Sequence, residues 1–159
     1  MNYSKINMDV CKSLSVGDSI RGYWIESEEH GDLLFVTIDG QYGYFIPKDK
    51  IIFDVNRIKM LEVKPFHPDD FIKKENEIKR TDHFLKCNRQ FCRRFDGNKY
   101  RVYVNQKFLE IVEKYPVAFF QNISPERDMS KQPVLCAEIN GKGYKPIIVI
   151  CPAAVFDDQ

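Results

Sequence analysis

From Lys73 to Lys107 the chain holds eleven basic residues against four acidic ones, a local charge of +7. Lys86, Arg89, Arg93, Arg94, Lys99 and Arg101 alternate there with Phe84, Phe91, Phe95, Tyr100 and Tyr103. Cationic side chains pair with phosphate or carboxylate oxygens, and rings beside them stack on bases. This stretch is therefore the candidate partner- or nucleic-acid-binding surface. A second reading stays open. Alternate side chains of a strand face opposite ways, so the rings can fill a core beneath a solvated basic face. Exposed arginines contribute little to stability, so replacing Arg93 and Arg94 by glutamate is expected to leave the fold intact.

Other chemistry is sparse. His67 lies beside Asp69 and Asp70, enough for a metal-assisted nuclease site, but acids at such positions equally suit the first turn of a helix. Cys11, Cys87, Cys92, Cys136 and Cys151 are odd in number and form no CxxC, and His30, His67 and His83 stand at no zinc-ligand spacing from them. All five read as reduced thiols. The pair Gly141 and Gly143 sits between strands rather than ahead of a helix, so it serves a turn and not a phosphate. The chain thus reads as a non-enzyme, with no catalytic, cofactor-binding or metal-binding residues.

The positive stretch is offset elsewhere: the whole chain of 159 residues carries a net charge of only +1, which leaves −6 for the remainder. That opposition suits contact with a nucleoprotein complex better than coating of bare nucleic acid. Hydrophobic residues make up 43% and aromatics 13%, enough to build a core and to exclude wholesale disorder. The richest apolar run, Pro146 to Val155, is broken at Pro152 and falls short of the roughly 18 residues of a membrane span. The expectation is a soluble, cytoplasmic protein with one domain over 1–159, within which two repeats, 1–66 and 67–159, are an option.

Three hairpins are written in the sequence. Asp39-Gly40, Asp96-Gly97-Asn98 and Asn140-Gly141 each separate β-rich segments, and each offers residues that tolerate positive φ. The stretch 83–95 reads as a single segment ahead of the second turn. Strands are also expected within Asp18 to Ser27, Val117 to Ile123, Pro133 to Ile139 and Lys145 to Cys151. Ile6, Val10 and Leu14 predict an N-terminal helix with Ser4 as its cap. A short helix is expected around Pro68 within 67–80, with Phe71, Ile72 and Ile78 as a thin apolar face. A longer one is expected from Asn105 to Tyr115, where Phe108, Leu109, Ile111, Val112 and Tyr115 form an apolar face stopped by Pro116. The class is α+β, antiparallel sheets built from hairpins with two or three helices.

Read together, Val104-Asn105-Gln106-Lys107-Phe108-Leu109, Gln132-Pro133-Val134 and Val149-Ile150-Cys151-Pro152 resemble the lead into the helix, a later strand opening and the closing strand of a sliding-clamp domain. The chain is similar to the small clamp-like proteins of Gram-positive phages and integrative elements. The resemblance spans Asp18 to Pro152 and implies a strand, a helix and then three strands, twice over. Two features depart from a processive clamp: the chain supplies one domain at most, and the helix that would line a ring carries Glu110 and Glu113 beside Lys107 and Lys114. What the resemblance implies is a phage or mobile-element binding protein that engages a nucleic-acid enzyme or nucleoprotein complex, with inhibition of a host defence nuclease, in the manner of an anti-CRISPR, as one form. A DNA-binding replication accessory is the alternative, and a metal-dependent nuclease at His67, Asp69 and Asp70 is third.

Overall fold

A computed structural model of the protein describes residues 1–87 and 89–154, with the Cys87 side chain outside the described set. Ile6, Val10 and Leu14 bury one face of helix α1 (Ser4–Ser15). Its first turn is held by Asn2, whose Oδ1 accepts from the Ser4 amide at 2.8 Å; Ser4 itself makes no cap. Strands β1 (Arg21–Ile25), β2 (Leu33–Thr37) and β3 (Tyr42–Pro47) follow as an antiparallel meander, turning at Gly40 with φ 79°. The two-residue β4 (Lys59–Met60) runs parallel to β1.

After the one-turn helix α2 (Pro68–Phe71) come β5 (Glu77–Cys87), β6 (Gln90–Asp96) and β7 (Arg101–Asn105). A second one-turn helix, α3 (Gln106–Leu109), leads into the meander β8 (Val117–Phe120), β9 (Val134–Asn140) and β10 (Gly143–Ile150). The architecture is α+β, with these strands in one mixed ten-stranded sheet of order β4-β1-β2-β3-β10-β9-β8-β5-β6-β7. A helix followed by a three-stranded meander therefore occurs three times, α1 before β1-β2-β3, α2 before β5-β6-β7 and α3 before β8-β9-β10, and the first and last meanders meet where β3 pairs with β10. Past β10 the chain returns along β7, the Ala153 amide donating to the Tyr103 carbonyl at 2.8 Å. Because β7 lies at the far end of the sheet from β3, this bond requires the sheet to curl.

Both faces of the sheet are covered, which explains the unbroken apolar run of β2. Leu34 and Val36 join the cluster under α1, with Ile6, Val10, Ile46, Phe95, Leu109, Val112 and Phe119. Leu33 and Phe35 face the other way, onto Tyr23, Phe45, Phe71, Phe120 and Leu135, with Phe66 packed alongside. Among the described residues no helix is long and apolar enough to cross a membrane.

Three sequence expectations are corrected here. The segment expected to be helical from Asn105 to Tyr115 is one turn of helix, capped by Asn105 Oδ1 on the Lys107 amide at 3.1 Å, followed by tight turns through Leu109 and Val112. Ile111 and Val112 are β-branched and poor helix formers, and burial of Leu109 and Val112 does not require a regular helix. The helix around Pro68 ends at Phe71, because Ile78 is drawn into the core as part of β5. The stretch 83–95 is two strands rather than one, reversing between Cys87 and Gln90 with Arg89 at φ 67°.

One loop-to-strand tether has a measurable consequence. The buried Tyr23 hydroxyl donates to the Phe66 carbonyl and accepts from the Phe66 amide, both at 2.7 Å, fixing the 61–67 segment to β1. Tyr23→Phe is expected to cost about 1–2 kcal/mol, read by urea denaturation, because both Phe66 groups lose their partner. Burial also raises the Tyr23 phenol from 10.0 to about 12. The folded state binds the proton more tightly, so its contribution is full below pH 10 and is lost as the pH rises toward 12.

Candidate partner-binding interface

Strand β5 belongs to the sheet only at its start. Glu77 pairs with Phe120 and Ile78 with Phe119 of β8, and beyond Ile78 no described strand flanks that edge. On its other side β5 pairs with β6, but three residues, Thr81, Asp82 and His83, stand opposite Arg94 alone. Such a bulge bends the strand. Pairing resumes as Phe84 with Arg93, Leu85 with Cys92, Lys86 with Phe91 and Cys87 with Gln90, whereas β7 reaches only as far as Cys92. Residues 84–87 and 90–91 therefore form a two-stranded arm.

Arg93 holds the arm in place. Its Nη1 donates to the Thr81 carbonyl at 3.3 Å and its Nε to Gln106 Oε1 at 3.1 Å. Glu113 lies 3.4 Å away as an ion-pair partner, with Asp82 at 3.9 Å, and the guanidinium carbon sits 4.5 Å from the centre of the Phe84 ring. Thr81 Oγ1 closes the bulge by donating to the Arg94 carbonyl at 2.8 Å. Gln106 Nε2 in turn donates to Glu113 Oε1 at 2.8 Å, so bulge, strand and the α3 segment form one network.

The six basic residues expected to form one surface divide into three groups. Lys86 and Arg89 are exposed on the arm. Lys99 and Arg101 are exposed at the opposite end of β6, roughly 20 Å away along a seven-residue strand. Arg93 and Arg94 lie between, with side chains only 14% and 17% exposed; Arg94 pairs with Asp96 at 3.0 Å. Glutamate at 93 is therefore not expected to be harmless, in contrast to the sequence reading.

The rings divide as well. Phe95 is in the core against Phe119, with centroids 4.7 Å apart, as the core-filling reading requires. Phe84 and Phe91 are 49% and 58% exposed, with Leu85 also open. Large apolar side chains grouped on a projecting element mark an interaction site more often than isolated ones do. Sequence reasoning ranked the cations and missed that these two rings stay outside the core. No family model, curated protein or solved structure matches this chain. The arm thus rests on its own geometry.

The remaining clusters have structural duties. His67 Nδ1 accepts from the Asp69 amide at 3.2 Å and caps α2, with the Asp69 carboxylate 3.7 Å from the same nitrogen. Among the described residues no three His, Cys, Asp or Glu side chains converge as metal ligands. Tyr42 and Tyr44 both donate to Asp9 Oδ2, at 3.1 and 2.7 Å, and lock α1 onto β3. Burial, reinforced by Asp9, pushes both phenols up, so they remain donors. Cys11, Cys136 and Cys151 are free thiols, and burial pushes the Cys136 thiol up, away from reactivity.

Proposed function

We propose that this protein is a non-catalytic binding protein of a phage or mobile element, and that its β5–β6 arm engages a nucleic-acid enzyme or nucleoprotein complex. The observation that carries this reading is the arm itself: exposed Phe84, Leu85 and Phe91 beside exposed Lys86 and Arg89, on a two-stranded projection with no carboxylate between His83 and Phe95. Aromatic anchors with flanking cations are the composition of interface hot spots. The order β7, α3, β8, β9, β10, a strand and a helix followed by three strands, supports the clamp-like resemblance. Occupation of a host defence nuclease is the concrete form proposed for the interaction, cytoplasmic by its nature.

Replacing Lys86 and Arg89 together by glutamate tests it. The pair is expected to lose capture of the partner nuclease or nucleoprotein complex from a host lysate by tenfold or more, with an unchanged melting curve, because both side chains are exposed. The same exchange at Lys99 and Arg101 serves as the control. Equal capture by the Lys86/Arg89 variant and the parent would remove the arm from the interface. The replication-accessory reading is separated by bare duplex DNA, which an accessory binds with a steep salt dependence and the proposed binder does not.

A further inference from the structure

We infer that the ring-bearing face of the arm stacks on the bases of single-stranded nucleic acid. This rests on the arm being the interface and names the chemistry of what it touches. Cross-strand partners share a face, so the Phe84–Arg93 and Lys86–Phe91 pairs, with Phe84 and Lys86 two apart on one strand, place all four side chains on one side of the arm. Phe84 and Phe91 stand diagonally on it, both about half open. Each carries a cation: the Arg93 guanidinium over Phe84 at 4.5 Å, and Lys86 Nζ 5.9 Å from the Phe91 centroid. Arg89 adds a third charge at the reversal.

The charge balance selects the occupant. No carboxylate lies between His83 and Phe95 in the sequence; Glu113 at 3.4 Å and Asp82 at 3.9 Å pair with Arg93, which leaves Lys86 and Arg89 as the cations open to phosphate. Two open rings flanked by cations match the alternation of base and phosphate in a single strand, where any base offers a π-face. Duplex DNA hides those faces in its stack, and two or three cations are too few to hold it by phosphate contacts alone.

The test is fluorescence anisotropy of the full chain with labelled oligothymidylate of about 16 nucleotides and with a duplex of equal length. The single strand is expected to bind at least tenfold more tightly than the duplex, with a log–log salt slope of about −1.4 from about two phosphates. Phe84→Ala and Phe91→Ala are each expected to weaken it by about fivefold or more, with melting curves unchanged for Phe91→Ala. Phe91→Trp is expected to retain binding and to show quenched indole fluorescence on addition of oligothymidylate, a signature of stacking that a merely structural ring would not give. Equal affinity for the two nucleic acids, or an unquenched indole at 91, would overturn the inference. If oligothymidylate fails to bind while the Lys86/Arg89 glutamate variant still loses its captured partner, the arm docks on protein and only the stacking inference falls. If that variant also captures normally, the arm is not an interface and both readings fall.

Discussion

Leu109→Ala is expected to lower the unfolding free energy by about 2–5 kcal/mol, measured by urea or thermal denaturation. Leu109 is fully buried in the cluster that joins α1 to the β8-β9-β10 meander, together with Val104, Val112, Phe119, Val134 and Ile150. It closes a one-turn helix that cannot stand alone, since helix nucleation is costly and only tertiary contacts repay it. Both the transfer of the side chain and the cavity left behind therefore count against the variant. Leu109→Met, nearly equal in volume, is expected to cost less than about 1.5 kcal/mol. A Leu109→Ala loss below about half a kcal/mol would show that this segment does not seal the core.

Arg93→Glu is expected to cost about 2–4 kcal/mol and to release the arm. The substitution removes donors to Thr81 and Gln106, and brings a carboxylate beside Glu113 and Asp82 in a site where the arginine side chain is 14% exposed. Arg93→Lys keeps the charge without the planar fork that reaches both carbonyl and carboxylate, and should recover only part of the loss. A double-mutant cycle with Glu113→Gln is expected to give a coupling of about 0.5–3 kcal/mol. Hydrogen exchange gives the sharper readout: amides of 84–93 should exchange faster in Arg93→Glu while those of β2 and β3 do not. Uniform acceleration, or no change on the arm, would mean that Arg93 does not set its position.

These two residues divide along the line between local and long-range information. The three hairpins at Asp39-Gly40, Asp96-Gly97 and Asn140-Gly141 are short-range devices, and all three are turns in the structure. The N-terminal helix follows from Ile6, Val10 and Leu14 for the same reason, since period and burial agree. The turn at Arg89 was hidden because it has no glycine to mark it, so two strands were merged into one. The helix lengths after Pro68 and Asn105 were overstated because helical spacing of apolar residues also suits a chain that turns once and is then packed from several sides.

The candidate site shows the same division. The sequence by itself determined the basic stretch, its missing carboxylates and its interleaved rings, because composition and alternation need no partner strand. Only the tertiary structure decided which of those side chains face outward. Alternation assigns a ring to one of two faces, but whether that face is covered depends on what the sheet packs against. Phe95 meets Phe119 and is sealed, whereas Phe84 and Phe91 lie where β8 and β7 no longer flank the hairpin. Arg93 and Arg94 were indistinguishable from Lys86 and Arg89 as charges in the sequence. Gln106 and Glu113 reach Arg93 only because the chain turns back after β7 and brings them within 3.4 Å, whereas Asp96 meets Arg94 as its neighbour two residues on along β6.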